Sequence, residues 1–335
     1  MTLSLDARLD LLAEEVIESV YAGYNFQRLS VAQVVGRGTR YADTNAIRHM
    51  DTVLAGETFG HGADTIGTPT LTAGSPLVFL DIDPAVSWGF RVQPGALRRV
   101  VMNLFGNALK YTARGHIWVS LRQAPLRSKF PSLGSRVVLT VSDTGRGIGE
   151  EYLRSHLFTP FSQEDRLAPG TGLGLSLVRQ ITANLGGSVT VTSRAGRGTS
   201  VRVSVPMTRP HNPVDREPEF ADRLKELKDL RVRIQGFNGS FDRIGGEHLD
   251  ETATVSEATL MESLCCEWLG MQTVLENAEE PPDITISSER AFRSRSPEEM
   301  APLAPVVVVC QNAVAAHSLS QSVKTSGVFE FISQP

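Results

Sequence analysis

Met102-Asn103-Leu104-Phe105-Gly106-Asn107-Ala108-Leu109-Lys110-Tyr111-Thr112 is the stretch on which the reading of this chain turns. It closes a helix predicted over 94–112, with Pro94 in the first turn, where a missing N–H costs nothing. At roughly 100° per residue, Leu97, Val101, Leu104 and Ala108 form one stripe aimed at a core. Asn103, Asn107 and Lys110, at i, i+4 and i+7, share the opposite face. Two carboxamides and an ammonium on one stripe suit a cation and a phosphate together. A carboxamide oxygen is a hard, neutral ligand for Mg²⁺, which beside phosphates needs few protein ligands, and Lys110 offers positive charge to phosphate oxygens. A solvated helix face has the same composition, so the stripe alone does not settle the matter.

Two glycine-bearing segments follow. In Val141-Ser142-Asp143-Thr144-Gly145-Arg146-Gly147-Ile148-Gly149 a hydrophobic strand ends on an aspartate, and glycines recur at every second position. Such glycines let the backbone approach a flat ligand and take positive φ, and the carboxylate can accept from an exocyclic amine. A plain tight turn looks similar. Gly170-Thr171-Gly172-Leu173-Gly174-Leu175 opens the next predicted helix, where free N–H groups make an anion site. It is neither the GxxxxGK[ST] phosphate loop nor the GxGxxG dinucleotide turn, which disfavours both of those folds. Between the two lies Leu157-Phe158-Thr159-Pro160-Phe161-Ser162-Gln163-Glu164-Asp165. Its paired aromatics, Phe158 and Phe161, suit either the anchors of a mobile lid or two core residues.

Outward from these segments, strands are predicted at 77–82, 116–122 and 137–142, an irregular stretch at 144–172, then a helix with Leu177, Val178, Ile181 and Leu185 on one face, stopped by Gly186-Gly187. A hairpin closes the unit: 189–193, the turn Ala195-Gly196-Arg197-Gly198, and 199–205. Such an arrangement predicts an α/β sandwich with helices over one face of a mixed sheet. Upstream, Leu5, Leu9, Leu12, Val16 and Val20 predict a helix over 5–20, with Gly23 as its stop. Residues 26–75 read as a variable, partly disordered loop, rich in Gly, Thr, Ala and Asp from about Val35. A charged, proline-bearing linker spans 208–227. Beyond it, β-like runs at 230–237, 284–287, 306–310 and 328–332 alternate with a helix near 258–271, which predicts a small α/β domain with a parallel sheet over 228–335.

The 335 residues suggest two or three domains, and 41% hydrophobic content lets most of the chain bury a core. A net charge of −4 with well-mixed signs gives no field for nucleic acid. The longest apolar run, Val306 to Cys310, is far too short to cross a bilayer. Three cysteines, two of them adjacent, fit buried free thiols rather than a metal site or disulfide framework. A cytoplasmic protein is the expectation.

In order and spacing, the segments closely resemble the ATP-binding catalytic domain of histidine kinases, in the ATPase superfamily that also holds gyrase and heat-shock chaperone ATPases. Residues 102–112 resemble the N-box, 141–149 the G1 box, 157–161 the F box and 170–175 the G2 box, within about 76–207. The resemblance implies a two-layer α/β sandwich, the Bergerat fold, that binds ATP and Mg²⁺. It implies Asn107 as the Mg²⁺ ligand, Lys110 on phosphate and Tyr111 against adenine. Asp143 then accepts from the adenine amine, and Gly145, Gly147 and Ile148 shape its pocket. Gly170, Thr171, Gly172, Leu173, Gly174 and Leu175 hold the phosphates under a lid that includes Phe158, and Thr199 supports Asp143 from behind. Hydrolytic members carry a glutamate base four residues before the Mg²⁺ asparagine. Asn103 stands there, with no basic lone pair to take a proton from water. Transfer to a separate nucleophile is thereby favoured, with Asn103 and Lys110 as candidate catalytic residues that also contact the nucleotide.

A histidine kinase needs an acceptor histidine, usually in an H-[ED]-x-x-[ST]-P setting. His49 and His61 precede the N-box, but neither has that setting. Leu11-Leu12-Ala13-Glu14-Glu15-Val16-Ile17-Glu18 resembles the segment after the dimerisation helices of fungal-type hybrid kinases, so residues 1–25 are expected to follow a histidine-bearing dimerisation domain that is missing from the chain or acts in trans. A phosphorelay receiver is the second expected partner. Residues 228–335 weakly resemble a receiver without its chemistry: Ser288 stands at the acceptor aspartate, Gly236-Phe237 at the acidic pair and Gln334 at the lysine, while Asp283 reads as a strand-edge residue. The reading is an ATP·Mg²⁺-binding domain of a hybrid histidine kinase joined to a degenerate receiver-like domain. The rival is a nucleotide-binding regulatory module, or pseudokinase fragment, without kinase turnover.

Overall fold

The computed structural model describes residues 5–37, 76–84, 86–126, 134–165, 170–210, 218–244, 252–275, 281–294, 304–310, 313–322 and 329–333. Strand β1 (Leu5–Arg8) runs into helix α1 (Leu9–Arg37), and β2 (Leu77–Ile82) and β3 (Gly89–Val92) precede α2 (Pro94–Tyr111). After β4 (His116–Pro125) and β5 (Gly134–Asp143) come the short α3 (Glu150–Ser155) and α4 (Gly174–Asn184), then the hairpin of β6 (Ser188–Arg194) and β7 (Gly198–Thr208). The seven strands form one mixed sheet in the order β1-β3-β7-β5-β4-β2, with β6 also paired to β7. β2 and β4 run parallel and the other pairs antiparallel.

Alternation along the strands sets the core. Val137, Leu139 and Val141 of β5 and Val201, Val203, Val205 and Met207 of β7 bury one face of the sheet in the same cluster as α1, α2 and α4 residues. The opposite rows are polar apart from Val138 and Pro206, and Ser142 and Ser200 meet across them at 2.8 Å. α2 packs against both α1 and α4. Val101, Leu104 and Ala108 are buried as their spacing predicts, joined by Phe105, which is wholly buried. Truncating a residue such as Phe105 to alanine costs about 3–5 kcal/mol. The two-layer α/β sandwich expected from sequence is the fold observed.

Some boundaries differ from the sequence expectation. Leu5 belongs to β1 and pairs with Val92, so the helix starts at Leu9. Gly23 does not stop it: α1 continues to Arg37, into the stretch read as loop. A Cβ at Gly23 would meet nothing within 4 Å, so the residue is tolerated in the helix at about 1 kcal/mol relative to alanine. Residues 38–75, including His49 and His61, lie outside the described residues. The stretch 144–172 contains α3, β3 escaped the sequence reading, and the expected linker contains α5 (Pro218–Leu227).

The C-terminal unit has β8 (Arg231–Gln235), a hairpin of β9 (Ser240–Ile244) and β10 (Thr252–Ser256), and α6 (Glu257–Ser263), which continues into a π-turn at Leu264–Trp268. β11 (Gln272–Thr273), β12 (Ile284–Ser288), α7 (Glu289–Arg293), β13 (Val306–Cys310), α8 (Ala313–Ser322) and β14 (Phe329–Ser333) complete it. The five-stranded sheet is parallel throughout, in the order β11-β8-β12-β13-β14. This is the doubly wound order 2-1-3-4-5, in which the second strand lies outside the first. The β9–β10 hairpin was not anticipated. Asp283 does sit at a strand edge, where its carboxylate accepts from the Arg231 amide at 2.8 Å and pairs with the Arg231 guanidinium. Ser288 ends β12, donates to the Gly236 carbonyl at 2.8 Å and caps α7 through the Ala291 amide. Glu289, the next residue, opens α7 and pairs with Arg293. Gln334 lies outside the described residues. Cys265 and Cys310 are buried free thiols as expected, but Cys266 is exposed. Trp268 packs against the core of the N-terminal unit and donates to the Ile82 carbonyl at 3.2 Å, tying the two units together.

Candidate functional site

Three segments converge over the C-terminal half of α2. Inward alternation along β5 runs Val137, Leu139, Val141, Asp143, so the strand's last inward position carries a carboxyl into the helical layer. Asp143 is buried, and the amides of Gly145 (2.9 Å to Oδ1) and Thr199 donate to it. Burial nevertheless pushes its carboxyl up to about 6, against the opposing pull of those donors. Thr199 therefore supports Asp143 with its backbone; its hydroxyl instead meets Ser193 Oγ at 2.8 Å.

The turn after Asp143 is held from both sides. The Arg146 amide donates to the Tyr111 carbonyl, the Ile148 amide to Ser193 Oγ at 2.9 Å, and the Gly196 amide to the Arg146 carbonyl. Gly147 has φ +70°, and a Cβ there would lie 2.1 Å from the Arg194 carbonyl oxygen, so only glycine lets this turn seat on the β6–β7 hairpin. Gly145 lies against the Tyr111 carbonyl, Thr112 Oγ1 and Asp143 Oδ1.

On α2, Asn103, Asn107, Lys110 and Tyr111 are half-buried rather than solvated, and the 170–175 loop lies over the first three. The Cβ direction of Gly174 points to Asn103 Oδ1 (3.0 Å) and Asn107 Nδ2 (3.5 Å), and that of Gly170 to Lys110 Nζ (3.1 Å). Asn103 Nδ2 donates back to the Arg99 carbonyl at 2.7 Å, which leaves its oxygen toward the loop. Lys110 Nζ donates to the Tyr111 hydroxyl at 2.7 Å, and the Arg146 guanidinium lies 4.6 Å from the centre of the Tyr111 ring. Leu173 is the N-cap of α4, and no side chain caps that terminus, so its first-turn N–H groups face the site. Thr171 is exposed, whereas Leu175 packs on the core and acts as an anchor for the loop.

Of the lid, the structure describes residues up to Asp165 and again from Gly170. Phe158 is half-buried beneath the Arg179 guanidinium, 5.1 Å from its ring centre. Phe161 is 77% exposed with φ +61°, so it is not a core aromatic. Gly172, at φ +69°, packs on the Phe161–Ser162 backbone, where a Cβ would come within 2.7 Å. Glu164 Oε1 accepts from the Gly149 amide at 2.7 Å and Asp165 pairs with Arg146, so the lid is fastened to the glycine turn. Arg146, Glu164, Ser193 and Thr112 escaped the sequence reading. The first three act through hydrogen bonds and an ion pair that link segments distant in sequence, which no periodicity announces.

The assembled site has a buried acceptor at one end and, at the other, an ammonium, two carboxamides and a helix N-terminus. The sequence of residues 92–209 matches the family described as histidine kinase-, DNA gyrase B-, and HSP90-like ATPases. The virulence sensor protein BvgS of Bordetella bronchiseptica is 38% identical over 122 residues, 35% of this chain and 9% of that protein. Sensor histidine kinase AruS of Pseudomonas aeruginosa is 36% identical over 141 residues, 41% of this chain and 14% of its own length. The peroxide stress-activated histidine kinase mak2 of Schizosaccharomyces pombe is 29% identical over 177 residues, 50% of this chain and 8% of its own. The matched stretches thus span a small part of those relatives. The solved structure of full-length ShkA in complex with AMPPNP shares the fold with a TM-score of 0.57 at 17% identity, over 100% of this chain and 55% of that one. Among the described residues, no helix is long and apolar enough to cross a membrane. With a two-layer sandwich, this site and these relatives, residues 92–209 belong to the histidine kinase-type ATPase domains.

Proposed function

We propose that residues 76–207 bind ATP with Mg²⁺ and transfer its γ-phosphoryl to a histidine carried by a dimerisation domain outside this chain, in a cytoplasmic hybrid histidine kinase that feeds a phosphorelay receiver. One observation carries the reading: the buried Asp143 acceptor and the Asn103–Asn107–Lys110 stripe under the Gly174 loop lie at the two ends of one site. Asp143 accepts from the exocyclic amine of adenine while the Gly145 backbone lies along the base. Tyr111, held by Lys110 and Arg146, flanks the nucleotide. Lys110 and the amides at the start of α4 hold phosphate oxygens. The Asn107 carboxamide oxygen, with Asn103 beside it, suits Mg²⁺, a hard cation that accepts neutral oxygen ligands. When bound, Mg²⁺ offsets charge on the phosphate oxygens. Asn103 cannot take a proton from water, so the site favours an external imidazole over hydrolysis. The chain's own contribution is positioning and preorganised electrostatics.

The test is titration calorimetry with ATP in the presence and absence of Mg²⁺. Asp143→Ala removes binding under both conditions, and Asn107→Ala weakens mainly the Mg²⁺-dependent part by about ten- to a hundred-fold. Unchanged affinity in both variants overturns the site assignment. A regulatory module without turnover is the second reading, favoured by the lack of an acceptor-type setting around His49 and His61. Supplying the dimerisation-helix domain of a related kinase and assaying transfer separates the two.

A further inference from the structure

Thr112 follows the last residue of α2 and is wholly buried. Its hydroxyl completes no hydrogen bond of full geometry, an expensive state for a buried polar group, although it lies near enough to the Asp143 carboxylate to lower that group's pKa. It is nonetheless aimed into the site. From the Cβ direction of Gly145, Thr112 Oγ1 is 2.8 Å away and Asp143 Oδ1 is 2.9 Å away, so the two oxygens face the same piece of glycine backbone. The glycine is pinned there by its own amide bond to Oδ1 and by the neighbouring Arg146 amide on the Tyr111 carbonyl. Core packing does not call for an oxygen at this position, since valine has the same shape.

We propose that Thr112 is a positioning residue of the nucleotide site, whose hydroxyl completes the donor set that orients the Asp143 carboxylate for the base. The inference rests on the nucleotide reading above. With a ligand seated, a small rotation brings the hydroxyl onto the carboxylate, whose other donors are the Gly145 and Thr199 amides. The proximity of Thr112 already favours the charged form of Asp143 against the upward push of burial. Other titratable groups on the surrounding elements are His116 on β4, Lys110 and Tyr111 at the end of α2, Arg114 in the following turn, Arg146 in the glycine turn, and Arg194 and Arg197 at the β6–β7 turn. The side chains of Lys110 and Arg146 are engaged with Tyr111 and Asp165, and the His116 ring stacks on Phe79.

The test compares wild type, Thr112→Val and Thr112→Ser in the full chain by ATP·Mg²⁺ titration calorimetry from pH 5.5 to 8, alongside thermal unfolding without nucleotide. Thr112→Val removes an unsatisfied buried hydroxyl, so its unfolding midpoint equals or exceeds that of wild type. Its ATP affinity falls about ten-fold near pH 7, the loss of one hydrogen bond to a charged group. The pH at which affinity collapses moves upward, because a carboxyl with one donor fewer protonates earlier on acidification. Thr112→Ser restores both affinity and profile. Wild-type affinity and profile in Thr112→Val overturn the inference while leaving nucleotide binding intact. So does Thr112→Ser as weak as Thr112→Val, or parallel loss of stability and affinity, since either outcome marks a structural role. Absence of ATP binding in wild type overturns the nucleotide reading and the inference together.

Discussion

Asp143→Asn separates what the site costs the fold from what it does for a ligand. The folded carboxyl is pushed up to about 6 from an ordinary aspartate's 3.8, with burial as the main cause. Between those values the folded chain keeps a proton that the unfolded chain has released, so stability falls as pH rises through the interval. At about 1.4 kcal/mol per pKa unit the gap amounts to about 3 kcal/mol, paid in full above pH 6 and absent below 3.8. Asparagine has the same shape and no charge. In urea denaturation without nucleotide, followed by circular dichroism and tryptophan fluorescence, the variant is expected to exceed wild type by up to about 3 kcal/mol at pH 7.5. The advantage shrinks through pH 6 and disappears near pH 4. Saturating ATP·Mg²⁺ reverses the order: at a hundred-fold excess over Kd it adds about 2.7 kcal/mol to wild type and much less to a variant that has lost its acceptor. A stability difference that does not change with pH would refute the reasoning, because only titration of Asp143 produces the slope.

Arg209 donates to the Ser87 carbonyl (2.6 Å) and Gln123 Oε1 (2.7 Å) and lies 4.4 Å from the centre of the Phe90 ring. Arg209→Ala is expected to cost about 2–3 kcal/mol in chemical denaturation, and Arg209→Lys to recover only part, because an ammonium lacks the planar fork. Incubation with γ-labelled ATP leaves no acid-labile, base-stable label on the chain; stoichiometric label on His49 or His61 would make it a self-sufficient kinase. Beryllofluoride with Mg²⁺ leaves the NMR spectrum of residues 228–335 in the full chain unchanged, since the Ser288 hydroxyl is already a helix cap and latch on the Gly236 carbonyl. A Mg²⁺-dependent shift centred on Ser288 or Glu289 would contradict this.

Much of the fold was legible because burial writes itself into local periodicity. The α2 stripe, the β4–β5 and β6–β7 pairs and the four long strands of the C-terminal sheet each repeat apolar residues at the spacing of their own element. Where local signals pointed the wrong way, distant packing had decided. Gly23 signals a stop, yet α1 carries on past it, with Tyr21 buried in the main core and Tyr24 packed against that core on the other side of the glycine. Gly89–Val92 is too short for a period-two pattern and is a strand because β1 and β7 receive it.

The site divides along the same line. Sequence alone determined which residue types were at hand and in what order: carboxamides and an ammonium at helical spacing, an aspartate at a strand end, glycines where backbone must come close. Those follow from bonded geometry, which is local. Tertiary structure alone decided that the polar stripe is covered by Gly174, that Asp143 enters the helical layer and is held near protonation, and that a buried hydroxyl from the end of α2 arrives beside it. Desolvation and hydrogen-bond geometry depend on which distant segments meet, and no spacing rule within one segment carries that information.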